Sequence, residues 1–182
     1  MSDVLVIYTD DEPGVLTRVA SLFRRRSFNI HSLTVGPTER PGVSRMTVVV
    51  DTDEATARRA VEHLRKLVNV LEVQQLGGGG GNVLRDLALI RVKASPTKRS
   101  EVLQLVEVFR ANVVDIAEDS LVIECTGSLA KIEALVDTLR PFGIIELGRT
   151  GAVAMARGTR TPAVPAKTLP LRTGTSSETM SV

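Results

Sequence analysis

The sequence predicts an α+β chain built from two ferredoxin-like βαββαβ sandwiches. Three observations carry this reading. The same order of strand-like and helix-like periods runs twice along the 182 residues. A run of five glycines, Gly77 to Gly81, separates the two passes. Apolar residues make up 43% of the chain and aromatics only 3%, which suits two small aliphatic cores. The expected division is an N-terminal unit at 1–76, a glycine-rich linker at 77–82, a C-terminal unit at 83–157 and a disordered tail at 158–182.

The first unit opens with VLVIYT (4–9), a short β-rich run. Asp11 is placed as the N-cap of a helix and Pro13 in its first turn. Val15, Leu16, Val19, Leu22 and Phe23 recur at helical spacing, with Arg18, Arg24, Arg25 and Arg26 on the wet side. FNIHSLTVG alternates as a strand, PTERPG is a turn and SRMTVVVD is a second strand. EATARRAVEHLRKL reads as a helix with Ala57, Val61 and Leu64 inward, and NVLEVQQL as the last strand.

The second unit repeats the order. LRDLALIRVKAS is a strand, KRSEVLQLVEVFRA a helix, and NVVDIAE with SLVIECTG a hairpin around Glu118-Asp119. SLAKIEALVDTLRPFG is a helix with Ser128 as N-cap and Gly143 beyond its end, and IIELGRTG is a strand. Helices cover one face of each four-stranded sheet, yet the other face also carries apolar residues. A unit of about 75 residues is marginal alone, so the second face is expected to meet another sheet or protomer.

Glycine loses the most entropy on ordering, so the five-glycine run reads as flexible. TRTPAVPAKTLPLRTGTSSETMSV is rich in Pro, Thr and Ser without periodicity. From Arg157 onward lie four of the 23 basic residues (Arg157, Arg160, Lys167 and Arg172) against one acid, Glu178, so the rest carries 19 basic and 20 acidic residues. The folded part is near neutral, which argues against a nucleic-acid-binding core. The central strands also lack the stacking aromatics of RNA-recognition sheets, with Tyr8 alone available. An acylphosphatase-like hydrolase needs an arginine in a phosphate loop, whereas DDEPG repels phosphate. One cysteine, Cys125, rules out an internal disulfide framework and reads as a core residue. With no apolar run of membrane-spanning length and no secretory-type N-terminus, the cytoplasm is expected. His31 and His63 lack metal-ligand company.

The turn DDEPG is the feature that points to chemistry. Amides exposed at a helix N-terminus favour an anion. Pro13 has none to give, so Gly14, Val15 and Leu16 are the candidates, and Gly14 lets a ligand approach the backbone closely. Asp10, Asp11 or Glu12 could receive an ammonium group. Together these make a receptor for an α-amino acid. The plainer alternative is an acidic, capped helix start with no ligand.

The chain resembles the regulatory (small) subunit of acetohydroxyacid synthase, also called acetolactate synthase. The resemblance rests on DEPGVLTRVASLFRRRSFNIHSLTVGPTE (11–39), SRMTVVV (44–50), KLVNVLEV (66–73), RDLALIRV (85–92), FRANVVDIAEDSLVIECTG (109–127) and RTGAVAMARG (149–158). It implies an N-terminal ACT domain and a C-terminal ACT-like domain. It implies an effector, valine or another branched-chain amino acid such as isoleucine, held between two ACT domains of a homodimer. Asp11, Gly14, Val15 and Leu16 come from one protomer, and Asn29, Ile30, Val35 and Gly36 from the other. The Asn29 amide donates and accepts at once, which suits a bridge; its alternative role is a turn residue with unusual backbone angles. The resemblance further implies a non-catalytic subunit that activates a catalytic partner and confers feedback inhibition, with thiamine diphosphate, Mg and FAD on that partner and no cofactor or metal here. A free-standing ACT sensor for a different enzyme is the alternative. Ser27 stands where the family mostly has Gly, Asp11 where some members have Asn, and Gly36 where some have Ala.

Overall fold

The computed structural model describes residues 2–76 and 81–158. The expected linker residues 77–80 and the tail from 159 lie outside the described residues. The first unit runs β1 (Ser2–Asp10), α1 (Val15–Arg25), β2 (Ile30–Pro37), β3 (Val43–Asp51), α2 (Glu54–Leu64) and β4 (Val70–Gln75). Its antiparallel sheet has the order β2-β3-β1-β4. The second runs β5 (Asn82–Lys93), α3 (Arg99–Val108), β6 (Asn112–Ile116), β7 (Ser120–Gly127), α4 (Leu129–Leu139), a 3-10 turn (Arg140–Phe142), β8 (Ile144–Arg149) and β9 (Val153–Ala156). Its sheet has the order β6-β7-β5-β8. Two ferredoxin-like α+β units are therefore observed, as the doubled rhythm predicts.

Each core is a helix–sheet layer. Leu5, Ile7, Met46, Val48 and Val50 meet Val15, Val19, Leu22, Phe23 and Leu64 in the first unit. Ile90, Val92, Leu121, Ile123 and Cys125 meet Val102, Val106, Ile132, Leu135 and Leu139 in the second. Cys125 is thus a core side chain, as expected. Asp53 and Ser128 cap α2 and α4, accepting from the amides of Thr56 and Lys131.

α1 and α3 end alike. After α1, Ser27 takes a left-handed φ of 56°, its amide donates to the Arg24 carbonyl at 3.1 Å, and the Phe28 amide donates to the Phe23 carbonyl at 3.0 Å. This is a left-handed helix stop with its apolar clasp, here Phe23 against Phe28 edge-to-face at 5.9 Å. Arg110 (φ 48°) repeats it after α3. The unusual backbone angle before β2 therefore belongs to Ser27, not to Asn29.

The sequence reading missed β9. The segment after β8 does not end the fold but turns back as a strand, pairing Val153–Ala156 with Arg85–Asn82 at the start of β5. β5 is long enough, at 12 residues, for its first third to pair with β9 and its remainder with β7 and β8. Four residues of small alternating character, VAMA, carry too little periodicity to announce a strand. This ribbon lies on the outer face of the first sheet. Ala152 and Ala154 join Val4, Val6 and Val49 in a third buried cluster, flanked by Tyr8, Leu76 and Leu84. The second apolar face of the first unit is thus covered, in part, by the same chain.

Polar contacts hold the ribbon there. The Ala152 amide donates to Ser32 Oγ at 3.0 Å. Arg45 donates from Nη2 to the Ala154 carbonyl, from Nη1 to Thr47 Oγ1 at 3.0 Å and from Nε to Tyr8 Oη at 3.3 Å. Its guanidinium lies 5.8 Å from the centre of the Tyr8 ring.

Candidate functional site

The β1–α1 turn is built differently from the expectation. The N-cap of α1 is Gly14, at φ 85° and ψ −8°, and the helix begins at Val15. Asp11 does not cap it, and Pro13 lies ahead of the first turn rather than in it. The reason is a competing attachment: the Asp11 amide donates to the Gly42 carbonyl at 2.9 Å, and its Oδ1 accepts from Ser44 Oγ at 3.0 Å. Asp11 is committed to the β2–β3 hairpin. The left-handed geometry at Gly14 is one that L side chains rarely adopt, which explains a glycine here.

The turn is otherwise open. A Cβ at Gly14 would meet nothing within 4 Å. The Val15 amide makes one long bond, 3.4 Å, to the Glu12 carbonyl, whereas those of Gly14, Leu16 and Thr17 find no acceptor among the described residues. Thr17 is a donor the sequence reading left out, because shifting the cap from Asp11 to Gly14 moves the run of unpaired amides along the helix. Val15 buries its side chain in the core and offers only main chain; Leu16 is 42% exposed and presents apolar surface beside the turn.

Asn69 was also missed. It sits 55 residues beyond Gly14, yet its amide donates to Asp10 Oδ2 at 3.4 Å and Glu12 Oε2 at 3.3 Å, and its Oδ1 accepts from Arg18. Asp10 and Glu12 are thereby engaged in bracing the turn. Only the sheet order, which puts β4 beside β1, brings Asn69 there.

The eight expected site residues fall into two groups. Gly36 pairs with Arg45 and Pro37 with Ser44, so Val35 and Gly36 lie at the same end of the sheet as Asp11, Gly14, Val15 and Leu16. Asn29 and Ile30 lie at the opposite end, where Ile30 pairs with Val50. Between them runs α1, 11 residues and so about 16 Å long. Within one chain the turn and Asn29 do not meet. Asn29 is exposed, and its side chain has no partner among the described residues. A Cβ on Gly36 would touch nothing. β2 is an edge strand, and among the described residues nothing pairs with its outer side.

Elsewhere the described residues hold no group of three or more His, Cys, Asp or Glu side chains placed to bind a metal ion. No described helix is long and apolar enough to cross a membrane.

Family models place this arrangement. Residues 5–72 match the AHAS small subunit-like ACT domain, and residues 85–158 match the small subunit of acetolactate synthase. The chain belongs to the acetolactate synthase small-subunit family. A probable acetolactate synthase small subunit from Archaeoglobus fulgidus is 47% identical over 160 residues, covering 88% of this chain and 99% of that one. The acetolactate synthase small subunit of Mycolicibacterium smegmatis is 45% identical over 156 residues, covering 86% and 91%. The crystal structure of the small subunit from Thermotoga maritima superposes with a TM-score of 0.83 at 37% identity, covering 87% and 99%. The small-subunit likeness thus extends over both units, and the ACT identity of the first supports a regulatory role.

Proposed function

We propose that this chain is the regulatory subunit of acetolactate synthase, binding and activating a catalytic partner and carrying feedback inhibition by a branched-chain amino acid, valine first. The observation that carries the reading is the turn: a left-handed Gly14 with open space beside it, followed by amides with no acceptor among the described residues, beside the exposed Leu16. A ligand carboxylate suits those amides, and an aliphatic side chain suits Leu16 and Val35. The remaining donor comes from a second copy. Antiparallel pairing of two β2 edges about a two-fold axis would set the Asn29–Ile30 end of one protomer beside the Gly36 end and turn of the other. Thiamine diphosphate, Mg and FAD belong, on this reading, to the catalytic partner, and the complex works in the cytoplasm. An effector–activity coupling of ordinary size is worth about 1–3 kcal/mol.

Calorimetry on the full chain with valine, leucine and isoleucine, together with inhibition of the reconstituted complex, tests this. Binding of at least one, weakened in Asn29→Ala without loss of melting temperature, is the expected result. No binding by any of the three would end the proposal. If binding occurs but the chain neither copurifies with nor activates a thiamine-dependent partner, the reading becomes a free-standing ACT sensor.

A further inference from the structure

Three of the segments on which the family resemblance rests meet at one place in the fold. They are SLTVG on β2, SRMT on β3 and the closing RTGAVAMARG. Ser32 of the first accepts from Ala152, and Arg45 of the second donates to Ala154. Gly151 comes so near β2 that an added Cβ would lie 2.4 Å from Ser32 Oγ, 2.6 Å from Thr34 Oγ1 and 3.1 Å from the Leu33 carbonyl oxygen. We infer that Gly151–Ala154 is the coupling element through which occupancy of the effector cleft reaches the C-terminal unit, with Ser32 and Arg45 as the positioning residues that hold it. This rests on the effector reading above and adds the route of its regulation.

The geometry places both ends of the route on the same strands. Ser32 and Thr34 point to the β9 segment, while Val35 and Gly36 of the same strand lie at the proposed cleft, about 3.3 Å of rise per residue away. Arg45 stands directly opposite Gly36 in the β2–β3 ladder, and its side chain grips the carbonyl of Ala154. A change in the position of the β2 edge at Gly36 is therefore felt at two attachments to Gly151–Ala154. The planar guanidinium is held by Tyr8 and Thr47, so it transmits displacement rather than absorbing it by rotamer change. The missing Cβ at Gly151 leaves no slack: a shift of β2 toward it meets backbone. The seat is also incompletely satisfied, because the Thr34 hydroxyl is buried without a partner among the described residues.

The test uses the full chain, alone and reconstituted with its catalytic partner, in wild-type form and as Ser32→Ala, Arg45→Met and Gly151→Ala. Effector binding is measured by calorimetry with valine, leucine and isoleucine. Inhibition is read as the activity ratio without and with saturating effector. Hydrogen exchange of residues 151–156 is followed with and without effector. In wild type, effector is expected to change that exchange. Ser32→Ala and Arg45→Met should bind effector within about threefold of wild type and activate normally, but lose about fivefold or more of the inhibition ratio. Arg45→Lys, which keeps one donor, should recover part of it. Wild-type inhibition in both variants would overturn the inference and leave β9 a static strut. Parallel loss of binding and inhibition would overturn it too, making these residues part of the cleft. Absence of effector binding in wild type would show instead that the cleft reading has failed. Should Arg45→Met or Gly151→Ala not fold, Ser32→Ala, which removes one oxygen, decides the matter.

Discussion

Ser44 Oγ donates to Asp11 Oδ1 at 3.0 Å, joining the β1–α1 turn to the start of β3. The bond uses one carboxylate oxygen; Oδ2 takes no protein donor among the described residues. An Asn at this position keeps an acceptor for Ser44 and loses the charge. Asp11→Asn is therefore expected to melt with wild type while binding a branched-chain amino acid about tenfold more weakly, or about 1.4 kcal/mol. Thermal melts with calorimetry separate the two effects, and unchanged affinity would remove Asp11 as the ammonium receptor.

The left-handed Gly14 separates strain from ligand repulsion. Any L residue there carries a backbone cost of about 1–2 kcal/mol, least for Asn and Asp. Comparing Gly14→Asn with Gly14→Asp holds size and backbone tolerance nearly constant and changes charge. Both should lower the melting temperature similarly. Only the Asp variant should abolish effector binding, because its carboxylate competes with the ligand's for the Leu16 and Thr17 amides. Equal affinities for the two variants would show that no carboxylate docks at this turn.

Ser27, the left-handed residue after α1, is the opposite case. A side chain at φ 56° costs about 1–2 kcal/mol, whereas glycine's extra unfolded-state entropy costs about 0.5–1 kcal/mol. Ser27→Gly should therefore stabilise the chain by about 0.5–1 kcal/mol in denaturant titration. The Ser27 side chain is exposed and makes no hydrogen bond of its own among the described residues, so nothing else is lost.

Asp86, at the junction of the β9-paired and β7-paired portions of β5, has its carboxyl pushed above the usual value of 3.8, first by burial and then by Glu133, with Arg149 and His31 pulling the other way. The folded state thus holds this proton more tightly than the unfolded state. The contribution to stability is full below pH 3.8 and is lost as pH rises through the raised folded value. Asp86→Asn, always neutral, should raise the melting temperature at pH 7 and give no gain near pH 3. A gain of equal size at both pH values would assign the effect to something other than ionisation.

What was legible in the sequence came from local chemistry. The two-residue and helical periods announced eight strands and four helices because the buried faces of small sandwiches must be apolar at those spacings. Pro13-Gly14 marked the turn, since few residues accept such backbone angles, and Ser128 marked its helix start by its capping oxygen. The sequence by itself therefore determined the doubled fold and the end of it where helix amides lie open. Only tertiary structure decided who shares that end. Asp11 left the cap because Gly42 and Ser44 reached it from the β2–β3 hairpin, and Asn69 arrived through the β1–β4 pairing. The four residues of β9 became a strand because the first third of β5 offered them a ladder, with Arg45 and an apolar sheet face beside them. Those partners lie scores of residues away along the chain, and a short segment's hydrogen-bonding fate depends on what is beside it in space rather than on its own few side chains.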